Sequence, residues 1–153
     1  RLYEACTAIS DFSIALGINV PTGKDSLSMK QKYPNEEVLA PGTVIVSAGA
    51  NCSDRTKVVE PVLQRKGGAI YYINLSQDQH QLGGSSFAQS QNKIGKTAPN
   101  IKDDAFFGKT FDVIQHLIKK RQIVAGHDIS AGGMLTTLLE MCFSDQYLSA
   151  NIT

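Results

Sequence analysis

The chain has 153 residues, 42% of them hydrophobic, and 15 lysines and arginines against 14 acids leave a net charge of +1. That length allows one domain, or one domain with a piece of another, and enough apolar residues for a core. The near-neutral balance argues against a nucleic-acid backbone as partner. No stretch reaches the roughly 20 apolar residues that cross a bilayer, and no signal segment opens the chain, so a membrane is not an expected partner either.

Cys6, Cys52 and Cys142 are odd in number, far apart and free of any C-x-x-C pairing. They are expected to be reduced thiols of a cytoplasmic protein, each a small buried apolar residue.

In chain order, Leu2, Ala5, Ile9, Phe12 and Leu16 lie at spacings that place them on one helical face, predicting a helix over 1–16. Gly17 follows and can take the left-handed conformation that ends a helix, with Ile18 closing over the last turn. Residues 18–29 read as an extended piece and a polar loop. Residues 30–42, with their charges, Pro34 and Pro41-Gly42, read as an exposed linker. Thr43 to Ala50 is a strand candidate around Val44, Ile45 and Val46, an apolar run suited to burial on both faces. Asp54 to Lys57 and Gly67-Gly68 are turns, and Ala69 to Leu75 is a second strand candidate.

Leu82-Gly83-Gly84-Ser85-Ser86 is a Gly-rich loop opening a helix through Gln91, followed by a longer loop over 92–103. Phe107, Phe111, Ile114 and Ile118 predict a helix over 104–121, with Asp103 or Asp104 as N-cap. Gln122 to Ala125 is a short strand. A sharp polar turn from Gly126 to Gly133 leads into a last helix over about 132–143, marked by Leu135, Leu138, Leu139 and Cys142. Strands mixed with helices imply an α/β (α+β) fold around one sheet. Arg1 stands inside a helical pattern and Asn151-Ile152-Thr153 reads as the start of a strand, so the chain is expected to be a truncated piece of a longer protein.

Three polar loops can carry chemistry. Gly23-Lys24-Asp25-Ser26 invites comparison with a Walker A loop, but five residues separate Gly17 from Gly23 where that motif has four. Asp25 also stands where it needs serine or threonine. The loop is either a phosphate contact through the Lys24 charge and the Gly23 backbone, or a polar turn with a solvated lysine. Gly83-Gly84-Ser85 before a helix is an anion site or an ordinary serine cap. His127-Asp128-Ile129-Ser130-Ala131-Gly132-Gly133 follows a strand candidate, where ligands of α/β proteins gather. Asp128 is a magnesium ligand candidate beside substrate phosphates, with His127 and Ser130 near them; the alternative is that Asp128 or Ser130 caps the last helix. His80 and His116 carry no claim, and no cluster has zinc-ligand spacing.

The order of these segments resembles one family. Asn19-Val20-Pro21-Thr22-Gly23-Lys24-Asp25-Ser26-Leu27-Ser28-Met29 is similar to the V-P-x-G-K-D-S-x-S-M stretch of the phosphoribosylformylglycinamidine synthase family, within the aminoimidazole ribonucleotide synthetase superfamily. The 43–50 strand, the Leu82-Gly83-Gly84-Ser85 loop and the His127-Asp128 turn follow in that family's order. The resemblance implies the end of an ATP-binding first-half domain over 1–40. It implies most of a carboxy-terminal α/β domain, a mixed sheet flanked by helices, over 41–153.

It further implies purine biosynthesis: an ATP- and glutamine-dependent amidotransferase that converts formylglycinamide ribonucleotide to formylglycinamidine ribonucleotide. Its cofactors would be ATP or ADP and Mg2+, and its partners the ribonucleotide substrate and the missing domains of the same chain. Gly23, Lys24, Asp25, Ser26, Gly83, Gly84, Ser85, His127 and Ser130 would then contact nucleotide or phosphate, and Asp128 the metal. The family commonly reads H-D-x-S-D-G-G at the last turn, where this chain has Ala131 in place of the second aspartate. A structural, non-catalytic copy of the site is one expectation and a pure scaffold another, and in both the isolated piece catalyses nothing; a related synthetase of the same superfamily is the third reading. The apolar face of the first helix is expected to drive self-association.

Overall fold

The computed structural model describes residues 2–24, 28–40, 42–145 and 147–151, which fall into two compact units, 1–52 and 53–153. The division lies beyond the 40/41 boundary expected from sequence, and the 43–50 segment belongs to the first unit.

In the first unit, helix α1 runs Leu2–Leu16. Ala5, Ile9, Phe12 and Leu16 are its half-buried positions together with Ser13, so the apolar stripe read from the sequence is the face that turns inward. Its end is a Schellman cap. Gly17 has φ +69, its N–H donates to Ile14 O at 3.1 Å, and Ile18 N–H donates to Ser13 O at 2.8 Å.

The stretch expected to be a linker instead forms an antiparallel hairpin of β1 (Lys30–Lys32) and β2 (Glu37–Leu39), with Gln31 opposite Val38. Pro34 and Asn35 sit at its turn, where fixed φ and tolerance of tight backbone favour reversal. Glu37 lies 3.3 Å from the Lys30 ammonium and 3.8 Å from that of Lys32, alternate residues on one face of β1.

This hairpin is the sheet of the described residues. The segments expected as strands, 43–50, 69–75 and 122–125, enter no ladder among them. A strand buried on both faces requires partner edges and covering layers supplied from elsewhere in the chain. Ile45 is 85% exposed, so nothing among the described residues covers it. Cys6 and Cys52 are exposed and Cys142 is half-buried, against the expectation of burial, and all three thiols are free. No described helix is long and apolar enough to cross a membrane.

The second unit carries α2 (Ser86–Ser90), α3 (Asp104–Lys119) and α4 (Gly133–Glu140), preceded by a 3-10 turn at Arg55–Lys57. Asp103 caps α3 by accepting from Phe106 N–H at 2.8 Å. Phe107, Ile114 and Ile118 are half-buried as expected, but Phe111 is exposed, and Phe106, Thr110 and Leu117 share the inward side instead. In α4 the expected apolar face is rotated. Leu135 and Leu139 are exposed, while Thr137 and Met141 are buried. Polar anchoring accounts for this: the single Thr137 hydroxyl proton is shared between Gly133 O at 3.2 Å and Asp128 O at 3.3 Å, and Met141 O accepts from Leu63 N–H at 3.0 Å. Two bonds to neighbouring backbone fix which edge of this short helix faces inward. Beyond it, Asp145 accepts from Arg65 Nε at 2.6 Å and from Tyr147 N–H at 3.0 Å, and the Arg65 guanidinium lies over the Tyr147 ring.

Candidate functional site

The three loops differ in what the structure makes of them. In the first, Gly23 and Lys24 are exposed, and a side chain at Gly23 would meet nothing within 4 Å, so no internal contact requires glycine there. Asp25 and Ser26 lie outside the described residues.

The second loop is closed on itself. Gly83 N–H donates to Thr97 O at 2.8 Å, Gly84 N–H to Ile94 O at 2.6 Å, and Ser85 N–H to Leu82 O at 3.2 Å. These backbone donors, read from sequence as an anion site, are therefore occupied within the chain. Ser85 is the N-cap of α2, accepting from Ala88 N–H at 3.1 Å and donating to Leu82 O at 2.6 Å. Glycine is required at 83, since a Cβ would stand 2.3 Å from Thr97 O. Gly84 and Gly95 have φ +74 and +81, which only glycine adopts readily. Beside this knot lies a pocket of about 350 Å³, whose wall includes Gly83, Lys93, Lys96 and Thr97. The two lysines went unread in the sequence, because a polar loop over 92–103 has no periodicity to place them.

The third loop is built by alternation. Ile123, Ala125 and His127 are half-buried, while Val124, Gly126 and Asp128 are exposed, a period of two without a ladder. Gly126 N–H donating to Glu60 O at 3.2 Å steadies the approach. The His127 side chain is thus 18% exposed and that of Asp128 86%.

His127 Nε2 lies 2.9 Å from Glu140 Oε2, a carboxylate on α4 that sequence reading missed because it is distant along the chain. Its Nδ1 lies 3.4 Å from Asp128 Oδ1, yet it is buried with no hydrogen-bond partner among the described residues. The direction of that approach, rather than its distance, denies it a bond. The ring thus stands between two carboxylates, Glu140 at Nε2 and Asp128 near Nδ1, and the exposed Asp128 carboxylate can attract a cation. The donor set fits Mg2+ in part: one exposed carboxylate can bind it where phosphate oxygens and water complete the shell. Among the described residues no group of three His, Cys, Asp or Glu side chains could hold a metal alone.

Asp128 and Ser130 do not cap α4. Gly132 is the N-cap at φ +88, with no side-chain bond, and Gly133 N–H donates to the backbone oxygen of Ser130 at 3.1 Å. The Ser130 side chain is exposed at the turn. The cap being backbone-made leaves the Asp128 carboxylate outside it.

With strand-like alternation feeding a glycine turn and a helix, comparison with known families is direct. Residues 65–152 match the family described as AIR synthase related protein, C-terminal domain, and residues 1–51 match the FGAR-AT PurM_N-like domain. The chain belongs to the AIR synthase related family. More particularly, it is similar to phosphoribosylformylglycinamidine synthases. It is 41% identical over 145 residues to the human enzyme and, over the same length, to a probable chloroplastic/mitochondrial one of Arabidopsis thaliana; each match takes in 94% of this chain. The Drosophila melanogaster enzyme is 39% identical over 92% of the chain. The chain spans about a tenth of the length of these relatives, 10–11%.

Proposed function

We propose that the chain is a part of an ATP- and glutamine-dependent phosphoribosylformylglycinamidine synthase of purine biosynthesis. In that enzyme it contributes a nucleotide- and magnesium-binding surface rather than a complete active site. The observation that carries this reading is the His127–Asp128 turn: a buried ring nitrogen without a partner beside an exposed carboxylate, in a chain 41% identical to two such synthases.

Asp128 would hold Mg2+, and Glu140 would orient His127. Ser130, Gly23, Lys24, Asp25 and Ser26 would lie toward phosphate, and Gly83, Gly84 and Ser85 would shape a second phosphate-facing loop. The metal supplies charge neutralisation of phosphate oxygens. The missing second aspartate at Ala131 supports a structural copy of the site. The ribonucleotide substrate and the remaining domains of the enzyme are the partners, and the cytoplasm the compartment, in keeping with three free thiols. There the exposed 43–50 and 69–75 segments would join a mixed sheet flanked by helices, and the isolated chain would catalyse nothing.

The test is an assay of the intact protein. Formylglycinamidine ribonucleotide should form from formylglycinamide ribonucleotide only with ATP, magnesium and glutamine or ammonia. The isolated chain should produce none. An intact protein with no such turnover would overturn the reading.

A further inference from the structure

Segment 60–65 is bonded to both ends of the stretch from Gly126 to Met141. Glu60 O accepts from Gly126 N–H at 3.2 Å, and Leu63 N–H donates to Met141 O at 3.0 Å. Each anchor stands one residue outside the His127–Glu140 pair, whose Nε2 and Oε2 lie 2.9 Å apart. One step further in, the Thr137 hydroxyl lies 3.3 Å from Asp128 O. The closures are thus nested: 126 with 141 through the segment, 127 with 140, and 128 with 137. The segment forms the outermost of them, so its two bonds govern how far apart the His127 and Glu140 backbones stand.

The segment is built to be stiff. Pro61 stands between the two anchors, where its ring fixes φ and disfavours a helical turn at Glu60. Val59, Val62 and Leu63 are half-buried, and the Val59 Cγ1 methyl faces Gly126. Arg65 closes the far end. Its Nε donates to Asp145 Oδ2 at 2.6 Å, its Nη2 meets the same oxygen, and its Cζ lies 5.4 Å from the centre of the Tyr147 ring. Asp145 N–H donates in turn to Cys142 O at 3.4 Å, the residue next to Met141. The ion pair therefore pins the Leu63–Met141 bond from outside.

We infer that Glu60–Arg65 is a clamp that positions the His127–Asp128 turn, and that Arg65 is the positioning residue that closes it. The inference rests on the reading of that turn as a magnesium-nucleotide surface. A carboxylate that shares a cation with a ligand has to be held in place beforehand, because ordering it on binding subtracts from affinity. The effect of Arg65 on the turn runs through Asp145 and the Leu63–Met141 bond. Its planar fork and its stacking on the tyrosine make lysine a partial substitute. An exposed ion pair contributes modestly, so the clamp tunes affinity by a few-fold and does not create it.

The experiment is calorimetric titration of the intact protein with magnesium ADP, far below its thermal midpoint, with amide hydrogen exchange read on the peptides that carry Leu63 and Gly126. Arg65→Ala should weaken affinity by about three- to fivefold and speed exchange at both peptides. Arg65→Lys should retain part of the affinity. Arg65→Ala combined with Asp145→Asn should be no worse than Arg65→Ala alone, since both break one ion pair. If Arg65→Ala does not fold, Asp145→Asn breaks the same pair and is held to the same outcomes. A merely structural ion pair would lower the thermal midpoint and leave the affinity for magnesium ADP as in the parent. That result, or unchanged exchange at Leu63, would overturn the inference and leave the Asp128 reading standing. A parent that binds no magnesium ADP would overturn the reading of the turn, and the inference with it.

Discussion

Two glycine loops of the second unit, 83–97 and 126–133, read alike in sequence and differ in structure. In the first, the N–H groups of Gly83, Gly84 and Ser85 are all satisfied by carbonyls, and what remains available is side-chain charge on Lys93 and Lys96. In the second, the backbone closes the turn through Gly133 and Ser130, while a buried His127 nitrogen is left without a partner next to Asp128. A glycine-rich turn before a helix is thus no single kind of site. One loop has turned its backbone into framework; the other presents a buried ring nitrogen beside an exposed carboxylate.

Substitutions at the two loops sharpen this contrast. Gly83→Ala puts a methyl against Thr97 backbone, which cannot rotate away, and should destabilise by about 3 kcal/mol. The methyl of Gly132→Ala would stand 2.7 Å from the Thr136 Cβ, which no rotamer change moves, and adds the strain of φ +88, so it should cost at least as much, about 3 kcal/mol. Urea unfolding of both variants checks this, and a Gly83→Ala variant as stable as the parent would mean that the first loop is not the framework described. Next in size, Thr137→Val removes the hydroxyl that donates to Asp128 O and should cost about 1–2 kcal/mol. It should also weaken magnesium-nucleotide binding, because it frees the turn that carries the carboxylate.

The smallest effect expected is on acid stability. The Tyr147 N–H holds Asp145 below the usual carboxylate value, with Arg65 adding to it against partial burial, and the Thr56 hydroxyl and N–H do the same for Asp54. A carboxyl whose folded value is depressed contributes stability above its unfolded value near 3.8, and that contribution is lost as pH falls through the folded value. Asp145→Asn should therefore lower the thermal midpoint near neutrality, flatten its decline below about pH 4 and converge on the parent in stronger acid. An unchanged acid limb would contradict the assignment.

What was legible in the sequence was local. Ala5, Ile9, Phe12 and Leu16 mark the inward face of α1, Gly17 its end and Asp103 the cap of α3, because each depends on residues within a turn or two. The 43–50 run pairs with nothing among the described residues, because apolar content specifies a preference for burial, not the partner strand. The 30–39 hairpin was missed because three-residue strands carry almost no periodic signal. At the candidate site, His127 and Asp128 were recognised as neighbours in sequence. Glu140 and the rotation of α4 that presents it follow from the Thr137 and Met141 anchors, which only the folded chain brings together.

The most direct test of the central claim is titration of the intact protein with magnesium ADP, compared with Asp128→Asn. The account predicts that the substitution weakens magnesium-dependent affinity by at least about tenfold. Unchanged affinity for magnesium ADP would contradict it.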